Sequence, residues 1–159
     1  MDLRILYALI LSFLPISELR GGMPLAVIYA VDNKIPIFFV FSLVVLMNIL
    51  AIFFAFYFLD NIHKNFLKAK TYKKFFNGYL KNFQKKVDKF EGKYKSLGFF
   101  SLMIFVAIPL PGTGAWTGVL LSWLLGLDKK KSITAIALGV LIAGIIVLLG
   151  TLGIISVFS

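Results

Sequence analysis

The stretch Pro15-Ile16-Ser17-Glu18-Leu19-Arg20-Gly21-Gly22-Met23-Pro24 decides how this chain folds. It sets a carboxylate, a guanidinium, two glycines and two prolines inside a run that is otherwise apolar, residues 5–14 before it and 25–31 after it. A charged side chain at the centre of a bilayer costs about 2.5–3.5 kcal/mol on insertion scales. Two such charges beside helix breakers are poorly placed to face lipid. Irregular backbone at membrane depth persists where it lines a polar cavity, so the expectation is a broken hairpin tip rather than a straight span.

Composition points the same way. The chain has 159 residues, 60% of them hydrophobic, with a mean hydropathy of +0.93, which places it among multispanning membrane proteins as a single membrane domain. It has no cysteine, which excludes a disulfide frame, thiol catalysis and a thiolate metal site. The lone His63 lies in the polar middle of the chain and reads as a surface residue rather than a ligand. The net charge of +10 is localised: eleven lysines lie between Lys64 and Lys95, and three more are Lys129, Lys130 and Lys131. A basic segment alone could suggest nucleic acid. Between membrane spans it reads as a cytoplasmic face held by acidic lipid, with no nucleic-acid partner. Residues 6–14 resemble the apolar part of a signal peptide, but Asp2 and Arg4 cancel and no small-residue cleavage site follows.

In chain order, the first repeat unit covers residues 5–59. It comprises a broken segment at 5–31, a polar corner at Asp32-Asn33-Lys34, and a 25-residue apolar helix at 35–59 interrupted only by Ser42 and Asn48. At about 1.5 Å per residue that helix crosses a hydrocarbon core with some tilt. Residues 60–96 place Phe76, Tyr79, Leu80, Phe83, Val87, Phe90 and Tyr94 three or four apart with lysines between them. That spacing predicts an amphipathic interfacial helix, with a solvated helical cap as the alternative. The second unit covers 97–158: a segment at 97–127 broken at Pro109-Leu110-Pro111-Gly112-Thr113-Gly114, a corner at Asp128, and an apolar helix at 133–158 with Ser132 as its expected N-cap. Ala135, Gly139 and Ala143, four apart, suit close helix packing and offer a face for a homo-oligomer.

Sliding the chain by 96 residues superposes its halves: Pro15 on Pro111, Ser17 on Thr113, Gly22 on Gly118, Asp32 on Asp128 and Lys34 on Lys130. The lysines then fix an expected topology. If 97–127 crossed the membrane, the two lysine groups would lie on opposite sides, against the positive-inside tendency. If it dips in and returns, all of them share one side. Its arms, 99–108 and 115–127, are also too short to span singly. The expected fold is therefore all-α: an inverted repeat of a re-entrant helical hairpin and a transmembrane helix. The connector is cytoplasmic and both termini lie outside the cell membrane. A four-span bundle with kinked first and third helices is the alternative. Inverted repeats of this kind carry their binding site at the midplane.

The outgoing arms are expected to start near Gly21, Gly22 and Pro24 and near Gly114, each helix start offering N–H groups and partial positive charge to an anion. Arg20 adds a guanidinium fork suited to phosphate or carboxylate, and Ser17 and Thr113 add hydroxyls. Glu18 is the one carboxylate embedded in an apolar segment. Burial and Arg20 act oppositely on its proton, a competition that can couple protonation to substrate or conformation. The plainer reading is that Glu18 and Arg20 neutralise each other or brace the tip. Asn48 supports a tip or glues helices together. The sequence holds no His/Ser/Asp set, metal-ligand cluster, P-loop or dinucleotide fingerprint, so the expectation is a non-enzyme without cofactor.

Pro15-x-x-Glu18-x-Arg20-Gly21-Gly22-x-Pro24, together with Pro109-x-Pro111-Gly112-Thr113-Gly114-Ala115-Trp116-x-Gly118, resembles the small multidrug export protein family, regarded as a branch of the DedA (SNARE-associated, VTT-domain) superfamily. The resemblance covers nearly the whole chain. It implies two re-entrant loops each followed by a membrane helix, and transport of lipids or lipid phosphates between leaflets with proton coupling. The DedA acidic residue of the first loop would map to Glu18. Where DedA proteins carry arginines near the second proline this chain has Gly112-Thr113-Gly114, which leaves Arg20 and backbone amides to hold a phosphate. The alternatives are a proton-coupled exporter of hydrophobic cations, and a membrane scaffold that does not transport.

Overall fold

The computed structural model describes residues 3–66, 98–110 and 112–158. The expected amphipathic connector lies mostly outside these residues, as does Pro111. Among the described residues the chain is all-helical, with no strand: α1 (Leu3–Phe13), α2 (Glu18–Asp32), α3 (Ile37–Phe66), α4 (Gly98–Ala107), α5 (Ala115–Leu124) and α6 (Lys129–Phe158).

Two short helices precede each long one because the tip residues divide the shorter segments. The chain turns over residues 14–17 and α2 runs back along α1. Arg4 reaches Asp32 at 3.4 Å at the open end of this pair, while Gly22 lies against Ser12 and the Ala8 carbonyl near the closed end. No side chain fits at position 22, which lets the two helices approach closely. The second pair repeats the arrangement: Gly98 lies beside Leu127, and Gly118, at the register position of Gly22, lies against Val106. The outgoing arms α2 and α5 pack across the halves, α2 on α6 and α5 on α3.

The turns differ from expectation in extent. The first break is residues 14–17 alone; Gly21, Gly22 and Pro24 lie inside α2. Gly22 serves helix packing there, Gly21 leaves room for the Ser17 side chain, and Pro24 removes the hydrogen bond that the Arg20 carbonyl would receive from residue 24. At α6 the helix starts earlier than expected, because Asp128 rather than Ser132 is the cap: its Oδ1 accepts from the Lys131 N–H at 2.8 Å. Ser132 is buried in the first turn. The expected oligomer face is also occupied within the chain. Ala135 and Ala143 are buried, and Gly139 sits against Val106 and the Met103 carbonyl of α4.

The two long helices are antiparallel. Gly144 of α6 meets Phe41 and Val45 of α3, and Lys129 Nζ reaches Asp60 Oδ2 at 2.6 Å. Asp60 also accepts from Trp123 Nε1 at 3.2 Å. The end of α3, the start of α4, the end of α5 and the start of α6 thus share one end of the bundle, and Arg4, Asp32 and the start of α3 lie at the other. Residues 37–61 and 129–157 are apolar and long enough to cross a membrane, with a third of each most apolar stretch buried within the chain. The rest of their surface is a band of exposed side chains such as Leu46, Leu50, Phe53, Ile142, Ile145 and Leu149, larger than a water-facing surface carries.

The absence of cysteine makes single-cysteine labelling direct. In intact vesicles, Asn61→Cys and Lys130→Cys should react with an impermeant maleimide from one side and Asn33→Cys from the other; labelling of 61 and 130 from opposite sides would contradict paired hairpins.

Candidate functional site

The two closed ends meet head to head. Glu18, the first residue of α2, is 5% exposed, and its carboxylate accepts the first N–H groups of α5: Oε2 from Ala115 at 3.2 Å and Oε1 from Trp116 at 3.1 Å. The start of a helix has unsatisfied N–H groups and partial positive charge, so a carboxylate belongs there. The anion expected between the helix ends is, in this conformation, the protein's own.

Backbone geometry aims the side chain. Glu18 has φ 47°, in the left-handed region that costs a non-glycine residue on the order of 1–3 kcal/mol. Two hydrogen bonds to a charged acceptor contribute roughly 1.5–3 kcal/mol each, enough to hold it. Gly114 makes the approach possible, since a Cβ there would overlap the Glu18 carboxylate. The register that pairs Pro15 with Pro111 also pairs Glu18 with Gly114. Corresponding positions of the two halves meet at the junction, and there is room for one side chain between them. That pairing was available in the sequence and is the signal for a contact that motif reading alone missed.

Arg20 Nη2 stands 3.8 Å from Glu18 Oε2, its side chain 24% exposed. Glu18, Arg20, Asn48, Thr113 and Gly114 line, with apolar neighbours such as Val106 and Val140, a cavity of about 10 Å³, room for about one water. Asn48 Nδ2 donates to the Ser12 carbonyl at 2.8 Å and so satisfies the end of α1. The hydroxyls turn inward on their own tips. Ser17 Oγ donates to the Leu11 carbonyl at 2.6 Å, and Thr113 Oγ1 lies 2.6 Å from the Ile108 carbonyl and accepts from the Leu110 N–H at 3.1 Å. Pro15 sits in the first turn and Pro109 and Gly112 in the second, Gly112 with φ 85°.

Trp116, part of the second motif but not among the expected site residues, also belongs to the junction. Its Nε1 donates to the Phe13 carbonyl at 2.9 Å, and its ring packs edge-on against Phe13 and Phe54 with centroids 6.2 and 6.0 Å away. One residue of α5 thus binds Glu18 through its backbone and the end of α1 through its side chain. Nothing in the spacing of Trp116 distinguishes it from an ordinary apolar helix residue.

An all-helical chain with two apolar helices long enough to cross a membrane and a buried charged junction between helix ends has the character of a helical membrane protein. The family model described as "Putative small multi-drug export protein" matches residues 18–146, and the chain belongs to that family. Neither a curated protein nor a solved structure matches the chain.

Gly114→Ala should destabilise the protein by about 1–3 kcal/mol through overpacking at the junction. The cost should shrink markedly in a Glu18→Ala background, as a double-mutant cycle of unfolding in detergent micelles would measure. Equal costs in both backgrounds would mean that the two positions do not meet.

Proposed function

We propose that the protein is a membrane transporter of the DedA-like type that moves an anionic lipid or lipid phosphate across the bilayer with proton coupling. In this reading both hairpins are re-entrant and the halves are inverted copies, with the bundle end near Lys129 cytoplasmic and both termini outside. The observation that carries it is the Glu18 carboxylate on the α5 N–H groups with Arg20 beside it. A place that holds a carboxylate through N–H groups and a neighbouring guanidinium also suits a phosphate.

The cycle follows from competition for that place. A proton on Glu18 removes the charge that the N–H groups and Arg20 hold, so the carboxyl leaves and the tips part. An incoming anionic head group then takes the vacated donors. Loss of the proton returns Glu18 and expels the head group. Asn48 holds the end of α1 against α3 throughout, the Trp116–Phe13 contact opens and closes with the tips, and the Ser17 and Thr113 hydroxyls keep each tip folded while it moves.

The family's description favours a second reading, a proton-coupled exporter of hydrophobic cations, in which Glu18 exchanges its proton for the drug. The two readings give Arg20 opposite roles. In vesicles carrying a fluorescent anionic phospholipid, Arg20→Ala should lower transport about ten- to a hundredfold, and Glu18→Gln should abolish its pH dependence. Unchanged transport and pH profile in Glu18→Gln would remove Glu18 from the mechanism. If Arg20→Ala preserves or raises efflux of ethidium while phospholipid stays in place, the exporter reading holds instead.

A further inference from the structure

The outer side of the first hairpin carries a groove of about 550 Å³, within the range of roughly 300–1,000 Å³ typical of ligand sites. Arg4, Tyr7 and Leu11 line it from α1, and Leu25, Ile28 and Tyr29 from α2. The α1 residues are three and four apart and so share one helix face. Because the helices are antiparallel, Tyr7 lies across from Tyr29 and Leu11 across from Leu25. The groove is graded along its length: a guanidinium and two phenols at the open end of the hairpin, leucine and isoleucine towards the tip. From position 4 to position 11 is about 10 Å along the helix, against a hydrocarbon leaflet of about 15 Å.

We propose that this groove is a binding site for a phospholipid of net negative charge, with its phosphate at Arg4 and the two tyrosines and one acyl chain running towards the hairpin tip. The orientation is the one a lipid already has in its leaflet. Arginine takes phosphate through a two-pronged contact, and tyrosines suit the level of the head groups. Among the described residues no acidic side chain lines the groove. Asp32, 3.4 Å from Arg4, stands outside the lining, and the two side chains are 70% and 52% exposed, a geometry in which an ion pair contributes little. A uniformly apolar partner, such as a second copy's membrane helix, would not complement the guanidinium and two phenols at the open end.

The second hairpin lacks the site. In the register of 96 residues Arg4 and Tyr7 correspond to Phe100 and Met103. Ile10, which also lines the groove, corresponds to Val106, which is buried against Gly118 and Gly139. There α6 fills the space that stays open beside α1. The site is therefore a property of one half and one leaflet. It goes beyond the transport reading, since a lipid held at the outer surface of α1 and α2 is independent of what passes between the tips.

The test uses the full chain in phosphatidylcholine vesicles containing a small fraction of either phosphatidylglycerol or phosphatidylcholine with a photoactivatable acyl chain. Adducts are mapped by mass spectrometry after irradiation. Adducts on the peptides of Leu11, Leu25 and Ile28 should form about fivefold more from the phosphatidylglycerol probe, the preference that one basic residue gives. Arg4→Glu should bring them down to the phosphatidylcholine level. Ile28→Trp, which fills the groove and leaves Arg4 in place, should remove them while adducts at Leu46 and Leu50 on α3 persist; this variant decides the matter should Arg4→Glu fail to fold. Equal labelling by the two probes, or groove adducts that survive Ile28→Trp, would overturn the proposal and leave only ordinary boundary lipid.

Discussion

Two backbone N–H groups at the start of α5 and one carboxylate at the start of α2 set the terms for the rest of the molecule. Each is costly alone in an apolar setting: the charge because nothing solvates it, the N–H groups because a helix start has no internal acceptor for them. Joined, they satisfy each other. The join works at contact distance only, which explains several otherwise separate features. Position 114 must be glycine, Glu18 must take a left-handed backbone, and the tips must be held end to end. Trp116 and Asn48 do the holding by taking the Phe13 and Ser12 carbonyls.

What the sequence made legible was the pattern of charges and breaks against an apolar background. The long helices were readable because more than twenty apolar residues in a row admit few other structures. The two turns were readable because proline and glycine disturb helices locally. Their extent was not. Pro24 lies within a helix because α2 is clamped between α1, α3 and α6, and packing of that kind overrides a local preference. Ser132 lost the cap to Asp128 for a related reason: both suit the role, and the helix takes the earlier one. The partner of Glu18 was hidden because a helix-start amide has no sequence signature. Only the equivalence of positions 18 and 114 pointed to it, through the oddity of a glycine facing the one embedded acid.

The halves share a plan and diverge in how they fill it. Gly22 and Gly118 occupy the same register position and each lets two helices of its own half close up. Outside that shared frame the halves differ. The second hairpin lies under α6, with Gly139 against Val106 and the Met103 carbonyl, whereas the first keeps an open outer face bearing Arg4 and two tyrosines. The junction is asymmetric as well, with an acid on one side and glycine on the other. Positions 18 and 114 cannot both project a side chain into the same small space. Divergence at that point is required by volume, and it is what gives the site a single titratable group.

A junction built this way suits a part that has to let go. A buried charge pair lies near break-even against its neutral counterpart, because the attraction between the charges is set against the loss of hydration. Here the N–H contacts favour the closed form, and the strained backbone at Glu18 and the lost solvation of Arg20 oppose it. In the transport reading the difference between these opposing quantities is on the order of a few kcal/mol, the range in which one proton or one ligand shifts a two-state population from mostly closed to mostly open. A helix tip fixed by apolar packing alone would present no charge for either to act upon. The same carboxylate that closes the junction is, in the transport reading, the means of opening it.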